Sequence, residues 1–206
     1  RLDELLGRDE GESATELRDR MEAVMMEKVG IFRTGEELES AVSELRDLLA
    51  RSRNIAVRTR MPGANPELVA AYRLPGKIKL ALCVAQGALL RTESRGAHFR
   101  ADYPRRDDLN WMRRTLAHWP DPNAEVPTIS YEPLDIMAME LPPGWRGYGA
   151  RDYIEHPQSA RRSAEIEQQL SAAGDLDRYQ RQQALMPFLD LLPPHLRGRN
   201  QRLGED

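Results

Sequence analysis

The chain has 206 residues, 40% of them apolar, 6% aromatic and 31% charged, which suits one or two helix-rich globular domains with a real core. A net charge of −3 argues against a surface that attracts nucleic acid. No apolar run approaches the length of a membrane span, so we expect no direct membrane insertion. Cys83 is the single cysteine and the four histidines are scattered, which argues against a disulfide framework and a metal site.

Two capping boxes open the first two predicted helices. Ser13-Ala-Thr-Glu16 precedes an apolar stripe and predicts a helix over roughly residues 14–29, closed by Gly30. Thr34-Gly-Glu-Glu37 predicts a second helix with leucines at spacings of three and four, fading near Ser52.

A third helix is predicted from Asn65, as the N-cap, to about Arg91, with Pro66 at the tolerated first position. Pro75, followed by Gly76, falls inside this segment and is expected to kink or break it.

The second half of the third helix, Ile78–Leu90, is apolar on nearly every face, which is typical of a buried helix. Cys83 lies within it and is expected to act as a small buried hydrophobe. Three helices with short connections predict a mainly α fold that begins with an antiparallel three-helix bundle of the spectrin-repeat type, over residues 1–92.

The segment after this bundle is dense in charge, with seven arginines and four carboxylates between positions 91 and 114. A guanidinium pairs with a carboxylate through two parallel hydrogen bonds, so this density favours either a clamp on an anionic ligand or a surface held by ion pairs. We interpret it as an interdomain or intersubunit docking surface. The predicted docking residues are Glu93, Arg95, His98, Arg100, Asp102, Arg106, Asp107 and Asp108.

A β-hairpin is predicted downstream of the charged segment. Asp107–Met112 is expected to form one helical turn, and the strand-like segments Arg114–Trp119 and Val126–Pro133 flank the turn-rich Pro120-Asp-Pro-Asn-Ala124. The charged docking loop and the hairpin together define a predicted region over residues 93–150.

The last predicted region, residues 151–206, is a helical C-terminal extension. It follows the proline- and glycine-rich segment Leu141–Gly149 and contains a polar helix over 157–173, a further helix around Asp175–Pro187, and an extended arm from Pro193.

No catalytic constellation is evident from the residues alone. Gly144-Trp-Arg-Gly-Tyr-Gly149 lacks the order and the preceding strand of a nucleotide-binding loop. Glu93, Ser94 and His98 are close in sequence, but sequence proximity does not make a triad, and His98 is interpreted as a structural hydrogen-bonding residue. We therefore predict no catalytic, cofactor-binding or metal-binding residue in this chain.

The charged segment contains a recognisable series of short sequence motifs. Glu93-Ser-Arg-Gly-Ala-His98, followed by Arg100, Asp102-Tyr-Pro104 and Arg106-Asp-Asp108, resembles the C-terminal region of the flavoprotein subunit of fumarate reductase and succinate dehydrogenase. Further phrases similar to that family occur in order along essentially the whole chain: Val29-Gly-Ile-Phe-Arg33, Thr115-Leu-Ala, Tyr131-Glu and Arg146-Gly-Tyr148. Three others most resemble the menaquinol-linked, Wolinella-like fumarate reductases: Asn65-Pro-Glu67, Ala81-Leu-Cys-Val-Ala85 and Tyr153-Ile-Glu-His-Pro157.

The resemblance implies a parent subunit that binds FAD covalently and reduces fumarate to succinate. Its partners would be an iron–sulfur subunit and, indirectly, a diheme membrane cytochrome b that oxidises menaquinol, which places the parent peripherally on the cytoplasmic face of the inner membrane. The flavin-binding domain and the catalytic residues lie upstream in that family. The opening Arg1, in place of methionine, fits a piece of a longer protein.

Alternative interpretations remain at this point. The same domain occurs in succinate dehydrogenase, and L-aspartate oxidase, which produces iminoaspartate, has a similar Glu-Ser-Arg-Gly element. The predicted hairpin and the long extension after Tyr148 favour the reductase. A different class of protein, a free-standing helical adaptor that binds protein partners, is the third hypothesis.

Overall fold

The computed structural model of the chain describes residues 2–60, 63–138, 156–178 and 180. The predictions for Leu141–Gly149, for most of the helix at 175–187 and for the arm after Pro193 lie outside the described residues.

Four helices form the N-terminal part of the molecule: α1 at Leu2–Gly7, α2 at Ala14–Lys28, α3 at Gly35–Arg51 and α4 at Pro66–Leu90. The last three are the predicted bundle, and they pack on one another pairwise. α1 was not predicted and packs against α4, where it buries Leu5. No helix in the described part of the chain is both long enough and apolar enough to cross a membrane.

Local capping signals set the beginnings of these helices, as predicted. The Ser13 hydroxyl accepts a hydrogen bond from the Glu16 backbone N–H (3.4 Å), and the Thr34 hydroxyl accepts one from Glu37 (3.2 Å). The Glu37 carboxylate in turn accepts from the Thr34 backbone N–H (3.2 Å), which completes the second capping box. Asn65 caps α4 through the Leu68 backbone N–H (3.0 Å).

Of the two outcomes expected at Pro75, the break is wrong, because α4 is one continuous helix of 25 residues. The kink stays a prediction. Proline removes a backbone donor and disfavours the helix interior. Here Ala71 and Leu74 before the proline and Ile78 and Leu82 after it are all buried. Packing of both halves against one core outweighs the lost hydrogen bond.

The core of the bundle is almost entirely aliphatic. Its fully buried side chains include Leu17, Leu38, Leu45, Leu48, Ile55, Ile78 and Leu82. Cys83 is only half-buried, so its expected place within the core is wrong. Among the helix-α2 methionines, Met21 is buried whereas Met26 is 82% exposed.

A short parallel strand pair that was not predicted joins two distant parts of the chain. β1 at Phe32–Arg33 pairs with β2 at Phe99–Arg100, with Phe32 opposite Phe99 and Arg33 opposite Arg100. The Phe32 and Phe99 rings meet edge to face with centroids 5.5 Å apart. This pair brings the charged segment beside the beginning of α3.

The predicted hairpin is present as a two-stranded sheet of β3 at Arg113–His118 and β4 at Thr128–Pro133. β3 lies along α4, and Trp119 packs against the bundle core. The predicted helical turn is also confirmed, as α5 at Asp108–Trp111.

The chain forms two compact units. The first contains the bundle, the charged segment up to Asp107, and residues 113–132; the second contains residues 108–112 and the described residues from Pro133 onwards. In the second unit, helix α6 at Ser159–Ala173 packs against a 3₁₀ turn at Ile136–Ala138. The mainly α fold and the polar helix near 157–173 are confirmed, whereas the boundaries at 92 and 150 stay predictions.

Two leucines on different sides of the bundle test this core. Leu45 on α3 is fully buried and Leu80 on α4 is 67% exposed. Leu45→Ala should lower the free energy of unfolding by about 2–5 kcal/mol because it leaves a cavity. Leu80→Ala should change it by less than about 0.5 kcal/mol. Urea denaturation followed by circular dichroism measures both, and equal losses would contradict this assignment of the core.

Candidate docking site

Arg100 closes the C-terminal end of α4. The arginine is 2% exposed, and its Nη1 donates to the carbonyl oxygens of Ala88 (3.1 Å), Leu89 (2.8 Å) and Arg91 (3.3 Å). The last carbonyls of an α-helix have no partner within the helix, and a cation there complements the helix dipole. Arg100 therefore supplies both the donor and the positive charge that this helix end lacks.

Asp102 connects Arg100 to the beginning of α3. Its Oδ1 accepts from Arg100 Nε (2.8 Å), and its Oδ2 accepts from Arg100 Nη2 (2.6 Å) and from the backbone N–H of Gly35 (3.1 Å). A Cβ atom at Gly35 would lie 3.0 Å from that Oδ2, so glycine permits the close approach. The hydrogen bonds from Arg100 lower the pKa of Asp102 to about 2.

Glu93 is the second centre of the charged segment and is completely buried. Its carboxylate accepts from Arg91 Nη1, from Arg95 Nε (2.8 Å) and Nη2 (2.9 Å), and from the backbone N–H of Asp107 (2.9 Å). Arg91 also donates from Nη2 to the Arg113 carbonyl oxygen (2.6 Å) at the start of β3. A buried carboxylate needs such partners, and these link the segment to the hairpin.

His98 packs against Arg33, which lies on the paired strand β1. The distance between Arg33 Nη1 and His98 Nδ1 is 2.6 Å, and His98 Nε2 lies 3.3 Å from the Arg91 carbonyl oxygen. Because a guanidinium only donates, Nδ1 accepts and the ring proton sits on Nε2. Burial lowers the pKa of His98, and the nearby charges of Arg33, Arg91 and Arg100 lower it further. The hydrogen-bonding role predicted for His98 is therefore present in the structure.

Backbone and hydroxyl contacts fold the segment on itself. The Ser94 hydroxyl accepts from the Arg100 backbone N–H (2.9 Å) and lies 2.8 Å from the Tyr103 carbonyl oxygen, its acceptor. Arg95 and His98 exchange backbone hydrogen bonds (2.8 and 3.1 Å) across a tight turn, in which Gly96 has φ of +60°.

The structure brings most of the predicted docking residues into this network, but few of them face outwards. Glu93, Arg100 and Asp108 are buried, Arg95, His98, Arg106 and Asp107 are half-buried, and Asp102 is exposed. Asp108 belongs to the second compact unit and the others to the first. The exposed edges are the Gly96–Ala97 turn and Ala101–Arg105. Their contact with a partner stays a prediction.

Sequence reasoning missed Arg33, Gly35 and Ser94 as members of the network. Arg33 and Gly35 lie more than sixty residues before their partners, His98 and Asp102. No local spacing in the sequence predicts a contact over that distance. The one available signal was the phrase ending in Arg33, which the resemblance singled out without giving it a role.

The described residues offer no group of carboxylate, histidine and cysteine side chains able to hold a metal ion. A surface pocket on α3 does not fit a flavin either, because charged side chains dominate its wall and Arg46 is already paired with Glu125. It is lined by Ser43, Arg46, Asp47, Leu49, Ala50, Arg53 and Glu125.

Comparison with known proteins gives the family. The protein-family model described as "Fumarate reductase flavoprotein C-term" matches residues 18–148, well over half of the chain. The chain belongs to this family. The predicted membership is thereby confirmed, whereas the Wolinella-like kind stays a prediction.

The curated relatives are longer than this chain. The fumarate reductase flavoprotein subunit of Helicobacter pylori strain J99 is 50% identical over 205 residues, which are 98% of this chain and 28% of that subunit. The Escherichia coli K12 subunit of the same name is 34% identical over 151 residues, 72% of this chain and 24% of that subunit. The chain thus spans about a quarter of these relatives.

Solved structures agree with this assignment. A chain of E. coli quinol fumarate reductase aligns with a TM-score of 0.62 at 31% identity, covering 67% of this chain and 24% of that chain. Adenylylsulfate reductase from Archaeoglobus fulgidus aligns with a TM-score of 0.54 at 22% identity, covering 62% of this chain and 20% of that chain. The second likeness shows a shared fold.

The Arg100–Asp102 pair leads to a pH-dependent prediction. A carboxyl whose pKa is lowered by folding stabilises the protein above its unfolded value, near 3.8, and this stabilisation disappears as the pH falls towards about 2. Asp102→Asn should therefore cost about 1–2 kcal/mol at neutral pH, discounted for its partial exposure. The difference from the unsubstituted chain should vanish in strong acid.

Chemical denaturation at pH 7 and at the lowest pH where the chain still folds measures this difference. Asp121→Asn, in the exposed hairpin loop, is the matched control. Its free energy of unfolding should differ little from that of the unsubstituted chain at both pH values. A deficit for Asp102→Asn that is the same at both pH values would contradict the role of the charge.

Proposed function

We propose that this chain is the C-terminal domain of the FAD-containing subunit of a fumarate reductase. The parent enzyme would reduce fumarate to succinate with two electrons and two protons, while a quinol is oxidised to the quinone in anaerobic respiration. The observation that carries the proposal is the 50% identity to the H. pylori subunit over 98% of the chain.

The same observation bears on the kind of reductase. The family model ends at residue 148 and the E. coli relative matches 72% of the chain, but the H. pylori relatives match 98% of it. Similarity through the C-terminal region favours a menaquinol-linked, Wolinella-like reductase over succinate dehydrogenase or L-aspartate oxidase.

The flavin of the parent is proposed to lie upstream of this domain, in the flavin-binding domain of the same subunit. When bound there and reduced by the two electrons from the quinol, the flavin would supply the hydride that reduces the substrate. The proposed partners are that flavin-binding domain, an iron–sulfur subunit and, indirectly, a membrane cytochrome b. The parent would be a peripheral subunit on the cytoplasmic face of the inner membrane.

The role proposed for this domain is structural. Its charged segment, residues 93–108, would dock on a neighbouring domain or subunit through the exposed edge Ala101–Arg105 and the Gly96–Ala97 turn. The buried Glu93 and Arg100 would hold that edge in shape from behind, because their hydrogen bonds fix the backbone that presents it.

The mass and the flavin content of the native polypeptide test whether this chain is part of a larger flavoprotein. An antibody raised against this chain should capture, under denaturing conditions, a polypeptide several times larger than 23.5 kDa that carries acid-stable flavin fluorescence. Intact mass and fluorescence measure both properties. A polypeptide of about 23.5 kDa without flavin would favour the helical adaptor. Activity of the parent on aspartate with oxygen would favour L-aspartate oxidase.

Arg95→Ala in the full-length subunit tests the structural role. Arg95 is one of the side chains that hold Glu93, so its removal should disturb the docking edge and reduce subunit assembly or flavin retention. The KM for fumarate should not change. Arg114→Ala, at an exposed position of β3 outside the docking edge, is the matched control for the loss of an arginine that does not hold Glu93. Normal assembly and flavin content with a raised KM would contradict the proposal.

A further inference from the structure

The strand pair β1–β2 is short, although it holds two remote parts of the chain together. Each strand has two residues. Phe99 donates its backbone N–H to the Ile31 carbonyl oxygen (3.1 Å), and Ala101 donates to the Arg33 carbonyl oxygen (2.8 Å). A two-stranded β-structure is only marginally stable in water by itself, so side-chain contacts are needed to keep this pair closed.

Arg33 and His98 form a side-chain bridge across the strand pair. Arg33 Nη1 lies 2.6 Å from His98 Nδ1, and Arg33 Nε donates to the Gly30 carbonyl oxygen. The other ring nitrogen, His98 Nε2, lies 3.3 Å from the Arg91 carbonyl oxygen. Since a guanidinium only donates hydrogen bonds, the bridge needs a lone pair on Nδ1 and therefore a neutral imidazole.

The surroundings of the ring are rich in cations. The charged groups on the elements around it are Arg33 on β1, Arg91 at the end of α4, Arg95 on the adjoining turn, and Arg100 and Asp102 at β2. The carboxylates of Glu93 and Asp102 accept hydrogen bonds from arginine side chains of this set. Burial is the largest cause that lowers the pKa of His98, and the charges of Arg33, Arg91 and Arg100 lower it further. A proton that binds the ring therefore adds a charge beside other cations.

We infer that His98 is a proton-sensitive latch on the strand pair β1–β2. Its neutral ring accepts the hydrogen bond from Arg33 that keeps the pair closed, and a proton on Nδ1 removes this acceptor and opens the pair. Two donors and two positive charges would otherwise face each other across the bridge. The latch acts on the exposed edge Ala101–Arg105, because this edge follows β2 directly in the chain.

A second connection between the same two parts of the chain does not titrate near neutral pH. Asp102 Oδ2 accepts from the Gly35 backbone N–H (3.1 Å), and the pKa of Asp102 is lowered to about 2. This carboxylate stays ionised when His98 takes up a proton. Opening of the latch is therefore expected to be local, with the bundle still folded.

The direction of the pH response follows from the two states of the ring. In the open pair the His98 ring returns towards its ordinary pKa of 6.5, whereas in the closed pair its pKa is lower. The open form then binds more protons, so closure is favoured above pH 6.5 and is lost as the pH falls through the lowered pKa. A change from pH 7.5 to pH 5.5 should raise the ratio of open to closed pairs by up to about tenfold.

Hydrogen exchange in the full-length polypeptide that contains this chain tests the latch. The backbone amides of Phe99 and Ala101 report on the strand pair, and the amides of α6, in the second compact unit, are the internal control. Exchange is measured by mass spectrometry at pH 7.5 and pH 5.5 and corrected for intrinsic rates. Protection of the two amides should fall about tenfold and that of α6 less than about twofold. Equal falls at both places would overturn the inference.

Two histidine substitutions assign the response to a residue. His98→Asn keeps an oxygen acceptor close to the position of Nδ1 but cannot take up a proton, so protection should become independent of pH in this range. His118→Asn, at an exposed position of β3, is the matched control and should leave the tenfold response in place. A tenfold response that persists in His98→Asn would overturn the latch.

Arg33→Met is a second variant, which keeps the ring and removes its donor. It decides the case in which His98→Asn leaves the strand pair open at both pH values. Protection of the Phe99 amide in Arg33→Met should already be low at pH 7.5 and should fall less than about threefold at pH 5.5, because no bridge is left to lose. An unchanged tenfold response would overturn the inference, since Arg33 would then not be the partner.

Discussion

Arg100 and Asp102 form the interaction on which the geometry of this domain depends. The guanidinium ends α4 by binding carbonyl oxygens of its last turn, and the carboxylate that holds the guanidinium also binds the first amide of α3. A negative helix end and a positive helix end are thus joined by an ion pair of matching polarity. The strand pair β1–β2 places Arg100 where this is possible, so hydrogen bonds join the bundle and the charged segment.

The inward position of these side chains changes the interpretation of the arginine-rich segment. An arginine-rich segment seen in isolation reads as a surface for a partner, but Glu93 and Arg100 are turned inwards and bind groups of their own chain. The part of the segment that stays exposed is the edge Ala101–Arg105, whose backbone they support. The most polar residues of the charged segment therefore fix the shape of its own exposed edge.

Local features of the fold were predictable from the sequence and distant ones were not. The side-chain cap at Ser13 and the capping box at Thr34 act within four residues, and the hairpin joins neighbouring strands, so spacing alone reveals them. The pairing of Arg33 with His98 depends on where the bundle brings two remote segments, which no periodicity encodes. The expected break at Pro75 was wrong for a related reason. The local preference of proline against the helix interior is outweighed by the tertiary packing of both halves of α4.

The bond from Gly35 to Asp102 joins residues 67 positions apart and has a consequence for synthesis on the ribosome. The first two long helices emerge well before the residues that complete their framework. Contacts of such sequence separation form late, because closing the intervening loop has an entropic cost. Until the charged segment has left the exit tunnel, the carbonyl oxygens at the end of α4 lack the Arg100 guanidinium and the first amide of α3 lacks the Asp102 carboxylate.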